Sequence, residues 1–532
     1  MVTAIGSAND FIWEAFEESL TPLPADSVDS RVWHALPSLL LLPAGLVTGC
    51  LVIIIKAANY ALSFFVAEEA QDPSQNFSAV ARDARLWDQL GDLEGQIALG
   101  HDDPTFLYGT ATCTYQDSGS ENCPASQWAK WERSCIPDES NRSGKSSDFF
   151  SLYQTPAGRK EITDRLHKLG VNSYRFSIEW SHIQPDQNIF NMHALQIYID
   201  LCKHLRDEGI APMVTLHHFS EPQWFHDFGS FEREENIQLF VDYAVPVFTH
   251  LAQPYKGRPL VEHFCTINEP NIEAFSRYVR GSYSPGVVMD FERAGIFLKG
   301  ALKAHCAVYD ALKRIEPNVQ IGIVHQRLSF KPTNPLLFLV TRYLNRLINE
   351  SVLNFFKTGD FEFKFPLICN IVEKNLHPPT DFVGLQYYVR PKIGMLGPTS
   401  DGEAMTAMPF HEDPEGLYEA ALEVYDAFKK PIIITEMGIS THDNAQRSRF
   451  NQRALYTAER VQQAIGKEKL RGYLTWSIGN NFEWDMGMQP QAFGAYPVTG
   501  GSIAADPKPG MDTFIRATQA WRRSLLAADA AA

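Results

Sequence analysis

The sequence predicts an α/β fold, a (β/α)8 TIM barrel with long loops that follows an N-terminal hydrophobic segment. Three observations support this prediction. Short apolar or β-branched runs alternate with amphipathic stretches, eight such runs occur in one continuous region, and polar residues are dense where the runs end. Alternating strands and helices form a parallel sheet, and eight repeats are enough to close that sheet into a barrel.

The strand runs begin at Phe106, and helical patterns lie between them. The eight runs are FLYGTAT (106–112), VNSYRFSI (171–178), APMVTLHH (211–218), EHFCTI (262–267), VQIGIVH (319–325), DFVGLQYY (381–388), PIIITE (431–436) and GYLTWSI (472–478). Residues 161–170 and 194–209 are amphipathic, and the polar stretch 113–156 is predicted to be a long loop. An open doubly wound sheet is the alternative, but no glycine-rich phosphate loop follows the first run.

The chain divides into five regions by composition. They are an acidic N-terminal tail (1–34), a hydrophobic segment (35–67), a linker with one amphipathic helix (68–104), the barrel (105–525) and a C-terminal tail (526–532).

The hydrophobic segment is predicted to anchor the protein in a membrane. Residues 36–55 carry no charge, and roughly 20 such residues suffice to span a bilayer as a helix. The alternative is an apolar hairpin packed on the soluble domain. Arg31 and Lys56 flank the segment on either side, so charge gives no orientation. We therefore expect a membrane-associated protein with a single N-terminal anchor, on an undetermined side.

Composition limits the classes of function and the kinds of site that we expect. The chain is 45% hydrophobic and 21% charged, which is typical of a globular protein. Its net charge is −16 and no basic cluster stands out, so nucleic acid is not an expected partner. The eight cysteines form no CxxC pair, which gives no support for a metal or redox site. Free thiols are expected, although Cys113, Cys123 and Cys135 are close enough in sequence for a loop disulfide.

Polar side chains cluster at the carboxyl ends of the runs, where barrels of this type carry their active sites. They are His217 and His218, Asn268 and Glu269, Tyr387 and Tyr388, Thr435 and Glu436, and Trp476 and Ser477, with Arg175 inside the second run. Two carboxyl groups about 5–5.5 Å apart at a barrel mouth can attack an anomeric carbon and protonate the leaving oxygen. Each residue taken alone could have a purely structural role, and Arg175 could pair with Glu179. Together they favour catalysis, because every buried polar group needs a partner and so many of them are hard to assign to packing.

These motifs resemble those of the family-one glycoside hydrolases, the retaining β-glycosidases of barrel fold. The resemblance extends from about Phe106 to about Trp521. TINEP (266–270) is similar to the acid/base motif, and IITEMG (433–438) is similar to the nucleophile motif. The resemblance implies that Glu269 is the acid/base, that Asn268 contacts the sugar beside it, and that Glu436 is the nucleophile.

The resemblance also implies roles for further residues. Arg175 and Tyr388 match the residues beside the nucleophile. The implied sugar-binding residues are Gln116, His218, Trp476, Glu483, Trp484 and Phe493. No metal or organic cofactor is implied.

The sequence departs from the family pattern at several positions near these motifs. Met437 follows the nucleophile where Asn is usual, Gln386 replaces another Asn, Asn480 replaces an Asp and Met488 replaces a Tyr. None of these changes removes a catalytic group, but together they indicate a divergent member of unknown substrate.

The expected reaction is a double displacement that cleaves a β-linked glucoside or galactoside, with a glycolipid as one candidate substrate. One alternative is a membrane-associated transglycosylase, in which a sugar or lipid hydroxyl replaces water as acceptor. A second alternative is an inactive glycan-binding or scaffold protein. The retained carboxylates argue against it, because a binding protein has no use for a nucleophile.

Overall fold

The computed structural model describes residues 97–394, 397–399, 404–488, 492–499 and 502–531. The acidic tail and the hydrophobic segment at 35–67 lie outside these residues. In the part of the chain that is described, no helix is both long and apolar enough to cross a membrane. The anchor therefore remains a prediction.

Eight parallel strands form a closed barrel in which each strand pairs with its neighbours in sequence, and the last pairs with the first. The strands are β1 (Leu107–Ala111), β2 (Ser173–Ser177), β3 (Ala211–His217), β4 (His263–Asn268), β5 (Gln320–Gln326), β6 (Phe382–Gln386), β7 (Ile432–Met437) and β8 (Leu470–Trp476). All eight predicted strands and the predicted barrel are confirmed, with ends that differ by at most two residues.

Long helices surround the barrel. They are α1 (Pro156–Leu169), α2 (Met192–Asp207), α3 (Asn236–Leu251), α4 (Phe291–Ile315), α5 (Ser351–Thr358), α6 (Gly416–Phe428), α7 (Asn444–Ile465) and α8 (Asp512–Ala531). Local sequence explains their ends. The Thr155 hydroxyl caps α1 by accepting from Gly158 N, Pro156 occupies its first turn, and Gly170 ends it with a φ of 73°. Only glycine adopts that left-handed φ without strain.

Shorter elements fill the loops at both ends of the barrel. The helical ones are Thr114–Asn122, Gln127–Cys135, Glu139–Asn141, Phe149–Tyr153, Trp180–Ile183, Gln223–Asp227, Ser230–Glu232, Pro270–Tyr278, Pro335–Leu337, Phe338–Asn345, Arg346–Glu350, Trp484–Met486 and Pro509–Met511. The small strands are Pro254–Tyr255, Arg258–Pro259, Lys331–Pro332, Phe361–Phe365, Cys369–Glu373, Lys392–Gly394, Gly397–Thr399, Val498–Thr499 and Ser502–Ile503. By compactness, residues 332–341 and 393–397 belong to a smaller unit, and the barrel forms the larger one.

Three sequence predictions about boundaries were wrong. The stretch 113–156 is not an irregular loop, because it holds helices that bury Tyr115 and Trp128 in an aromatic cluster. The ordered domain begins before residue 105, since Ile97 and Leu99 pack into the core. At the other end, residues 526–531 continue helix α8 rather than forming a tail.

Apolar side chains fill the lower part of the barrel interior and leave polar side chains at its upper end. The filled layer consists of Leu107, Met213, Cys265, Val324, Phe382, Ile433 and Leu474. One level higher, Ala111 of β1 is in register with both Arg175 of β2 and Trp476 of β8. The cysteines among the described residues are free thiols, Cys113, Cys123 and Cys135 included.

Candidate active site

Glu269 stands at the junction between β4 and the helix Pro270–Tyr278. Its backbone adopts a φ of 42°, in the left-handed region that side chains other than glycine rarely occupy, and its N–H donates to Val324 O of β5 at 2.9 Å. Pro270 suits the first turn of the helix because that turn needs no N–H donor. The turn leaves the Glu269 carboxyl group buried on the wall of a cavity at the barrel mouth.

Glu436 lies across the mouth, near the end of β7, and two donors fix its carboxylate. Arg175 Nη1 donates to Glu436 Oε1 at 2.6 Å, and the Tyr388 hydroxyl donates to Oε2 at 2.8 Å. All three groups are buried or nearly so, and charge-assisted hydrogen bonds are the stronger kind. These two donors hold the Glu436 carboxylate in one orientation and favour its ionised form.

Arg175 ties three strands together beneath the cavity. Its Nη2 donates to Asn268 Oδ1 at 2.6 Å, and its Nε donates to Thr215 Oγ1 at 3.1 Å. The alternative partner considered from sequence, Glu179, instead accepts hydrogen bonds from Ser181 and Ser220. The buried charge thus serves the Glu436 carboxylate rather than a structural pair.

The two carboxyl groups differ in their electrostatic surroundings. Burial, together with the charge of Glu436, raises the pKa of Glu269 well above its ordinary value. Burial also raises the pKa of Glu436, but Arg175 and Tyr388 oppose that rise. When the pair shares one proton, it therefore resides on Glu269, and Glu436 keeps the negative charge.

Gln326, at the end of β5, contacts Glu269 and was not identified from sequence. Its side-chain amide, oriented so that both of its ends find partners, donates to Glu269 Oε2 at 3.2 Å and to Oε1 at 3.3 Å. The only sequence signal was its place directly after the apolar run VQIGIVH. Because His325 and Arg327 on either side are also polar, Gln326 did not stand out as a polar residue at a strand end.

Six residues predicted to bind sugar line the same cavity, on the side of Glu436. Gln116 Nε2 donates to Glu483 Oε2 at 3.3 Å, and Trp476 Nε1 donates to Glu483 Oε1 at 3.4 Å. Burial raises the pKa of Glu483 to about 8. The full set is Gln116, His218, Trp476, Glu483, Trp484 and Phe493.

Three of the polar side chains on this wall keep a buried atom without a partner. They are Gln116 Oε1, His218 Nδ1 and Asn268 Nδ2. Unpaired buried polar atoms are costly and are normally satisfied by a ligand or water. Burial and the charge of Arg175 hold the pKa of His218 well below its ordinary value, so its imidazole is neutral and can exchange hydrogen bonds with hydroxyl groups.

The cavity has a volume of about 410 Å³, which is ample for a monosaccharide. Every predicted site residue lines it except Arg175, which lies behind Glu436 and Asn268. The wall also contains an apolar group, Leu328, Met405, Met408 and Phe410, and the charged residues Arg280 and Lys392. The lining therefore combines polar, charged and apolar side chains.

Three of the four departures from the family pattern have partners that the structure shows. Gln386 donates to Asn268 Oδ1 at 2.9 Å and so joins the network around Arg175. Met437 packs in the hydrophobic core, away from the cavity. Asn480 accepts a hydrogen bond from Lys508 Nζ at 2.8 Å.

Among the described residues, one group has metal-ligand geometry, namely His217, Glu221 and Glu273. Arg277 pairs with Glu221 at 2.9 Å and with Glu273 at 2.7 Å. His217 Nε2 also donates to Glu273 Oε2 at 2.9 Å. Because Arg277 and His217 already occupy these carboxylates, the group forms a buried ion-pair network under the β3 and β4 ends.

Comparison with known proteins gives the family. The sequence profile described as Glycosyl hydrolase family 1 matches residues 102–359 and 373–505, more than half of the chain. Avenacosidase 1 of Avena sativa is 26% identical over 72% of this chain and 77% of its own length. Beta-glucosidase A of Thermotoga maritima is 26% identical over 72% and 90%, and a 6-phospho-beta-galactosidase of Staphylococcus aureus is 25% identical over 72% and 91%.

Comparison with solved structures agrees with the family given by the sequence profile. The solved beta-glycosidase from Pyrococcus horikoshii superposes with a TM-score of 0.69 at 27% identity, covering 79% of this chain and 95% of that chain. The predicted family and the predicted barrel are thereby confirmed: the chain belongs to glycosyl hydrolase family 1.

Proposed function

We propose that this β-glycosidase works by double displacement, with Glu436 as nucleophile and Glu269 as acid/base. The observation that carries the assignment is the asymmetry between the two carboxyl groups. Glu436 accepts from a guanidinium and a phenol at 2.6 and 2.8 Å, whereas the contact to Glu269 is a longer amide donor, Gln326. A nucleophile must be ionised and oriented, and a general acid must be protonated near neutral pH.

In the first step, a Glu436 oxygen attacks the anomeric carbon and forms an ester. The bond from that carbon to the aglycone oxygen breaks, and the Glu269 proton passes to the departing oxygen. In the second step, Glu269 is ionised and takes a proton from water as the water oxygen attacks the same carbon. The ester bond then breaks, and Glu436 regains its charge with the β configuration of the sugar retained.

The pKa of Glu269 cycles during this reaction. In the free enzyme the negative charge of Glu436 helps to keep Glu269 protonated. Once Glu436 is esterified, that charge is gone, and the pKa of Glu269 falls while the Gln326 amide continues to stabilise its carboxylate. The same group is thus an acid in the first step and a base in the second.

For the substrate, we propose an unmodified glucose- or galactose-configured ring. The base of the cavity presents Gln116, His218 and Glu483, which are partners for neutral hydroxyl groups. A sugar 6-phosphate fits less well, because the ionised Glu436 repels a dianion and Arg280 is already paired with Asp485 at 2.7 Å.

The uncharged stretch at residues 36–55 and the apolar side chains of the cavity wall favour a membrane-bound protein acting on a β-glycolipid. Water is the proposed acceptor, and transfer to a sugar or lipid hydroxyl is the second candidate, since the same residues serve both. Incubation of membrane-reconstituted protein with a β-glycolipid distinguishes them. Free sugar as the product supports hydrolysis, whereas a larger glycolipid supports transfer.

Inactivation by 2-fluoro β-glycosides tests the catalytic assignment. The fluorine slows breakdown of the ester, so intact mass should rise by one sugar, and the labelled peptide should contain Glu436. Glu436→Gln should give no adduct. Glu269→Gln should still be labelled when the leaving group is a good one, because an activated leaving group needs little protonation. Labelling on Glu269, or none on folded protein, would contradict the assignment.

A further inference from the structure

Four large apolar side chains protrude into solvent at the end of the barrel that holds the cavity. Val288 and Met289 are 65% and 64% exposed, and Leu367 and Ile368 are 104% and 52% exposed. The first two precede helix α4, and the other two form the turn between the strands Phe361–Phe365 and Cys369–Glu373. Soluble proteins expose single apolar side chains routinely, but not four on adjacent turns.

Contacts along α4 place the two turns side by side. Phe365 packs on Phe291 with ring centroids 4.8 Å apart, and further along α4 Lys303 pairs with Glu373 at 2.8 Å. The hairpin therefore lies along α4 with its Leu367–Ile368 tip next to the start of the helix. In a barrel of this kind each helix begins at the end where the strands finish, which is the end of the active site.

The Val288–Met289 turn adjoins the cavity. Val288 forms a bridge with Arg280, and Arg280 is part of the cavity wall. Met405 and Met408 line the same cavity. The Val288–Met289 turn therefore lies beside the cavity.

The backbone at these turns is unusual for the side chains that it carries. Met289 has a φ of 60° and Leu367 a φ of 64°. These left-handed positions normally carry glycine or asparagine, and bulky residues there are uncommon.

We propose that Val288, Met289, Leu367 and Ile368 form a lipid-contacting rim that seats the cavity opening on a bilayer. The inference rests on the proposed membrane-bound function and names the surface that would serve it. The side chains protrude from turns, which suits insertion into a fluid acyl layer. The chain also carries the uncharged stretch 36–55, whose length matches a bilayer.

Carbene photolabelling of the full chain in phosphatidylcholine vesicles tests this contact directly. An apolar diazirine probe partitions into the acyl layer and labels whatever protein lies there. Label is expected in the peptides that contain residues 286–290 and 365–369. Label is also expected in residues 36–55, which serve as an internal positive control. Label confined to residues 36–55 would overturn the proposal.

Substitutions that add negative charge to the rim test whether contact with the bilayer is needed for turnover of a lipid substrate. The double variant Leu367→Asp/Ile368→Asp should lower turnover of a β-glucosyl lipid in vesicles at least tenfold and leave kcat/KM for a water-soluble aryl β-glucoside within twofold. Leu526→Asp is the matched control, because Leu526 is 70% exposed on α8. On α8, Trp521 Nε1 donates to Asp103 O, and Ser524 Oγ accepts from Asp102 N. Because both aspartates precede β1, this part of α8 lies at the end of the barrel opposite the cavity.

The outcomes separate the two proposals. Equal loss of lipid turnover in the rim variant and in Leu526→Asp, or no loss in either, would overturn the rim while the soluble substrate still reports an active glycosidase. Failure of the unmodified protein to cleave any β-glycoside would instead contradict the proposed function.

Discussion

Replacing Tyr388 by Phe removes one hydroxyl group and one hydrogen bond to the proposed nucleophile. That bond joins the phenol to Glu436 Oε2 at 2.8 Å, in a buried site. A hydrogen bond to a charged group contributes about 1.5–3 kcal/mol, and one pKa unit corresponds to about 1.4 kcal/mol. Because the bond stabilises the ionised form, its loss should raise the pKa of Glu436 by roughly one to two units.

The pH dependence of kcat/KM reports this change, since it reflects ionisation of the free enzyme. For an aryl β-glucoside, the acidic limb should move to higher pH by about one to two units in Tyr388→Phe. The neighbouring Tyr387→Phe is a matched control, because the Tyr387 hydroxyl is also buried but donates to Asp413 Oδ2 at 2.6 Å. An unmoved acidic limb in Tyr388→Phe, or the same shift in both variants, would refute the assignment of Glu436.

Three further predictions follow from the same geometry. Met437→Asn, which restores the residue usual in the family, should lower the thermal unfolding temperature, because a core amide without a partner costs about 1–3 kcal/mol; an unchanged temperature would mean that the amide finds one. A 6-phosphorylated aryl β-galactoside should have a kcat/KM at least tenfold below that of its unphosphorylated counterpart, and the reverse ratio would contradict the charge argument. Arg447 donates to the carbonyls of Ala492 and Phe493 at 2.6 and 3.0 Å and so fixes the cavity wall at Phe493. Arg447→Met should therefore raise KM more than it lowers kcat in steady-state assays. A selective loss of kcat would contradict that role.

The strands and the catalytic pair could be predicted from sequence because each rests on a local pattern. Apolar runs of strand length mark the barrel, and a polar residue at the end of such a run marks its mouth. The helices within 113–156 could not be predicted in the same way. The helix Thr114–Asn122 carries little apolar periodicity, and Tyr115 is buried by residues distant in sequence, among them Phe482 and Trp484, whose ring centroids each lie 6.1 Å from its own.

Gln326 was missed for a related reason, because its role depends on a contact between strands. Nothing local distinguishes a glutamine at the end of β5 from a solvated one. It becomes informative only when Glu269 N is seen to bond to Val324 O, which places the two side chains together. The membrane anchor presents the reverse case, since its evidence is entirely local and its residues lie outside those described.

Gln386 indicates why a divergent sequence can retain the catalytic arrangement. Its amide donates to Asn268 Oδ1, which also accepts from Arg175 Nη2 at 2.6 Å. With both donors on its oxygen, Asn268 is fixed with Nδ2 unpaired and available to a sugar hydroxyl. Gln386 also helps to lower the pKa of Glu436 against the effect of burial. The longer amide therefore preserves both requirements, an oriented Asn268 and an ionised nucleophile, so divergence at this position leaves the charge pattern of the site intact.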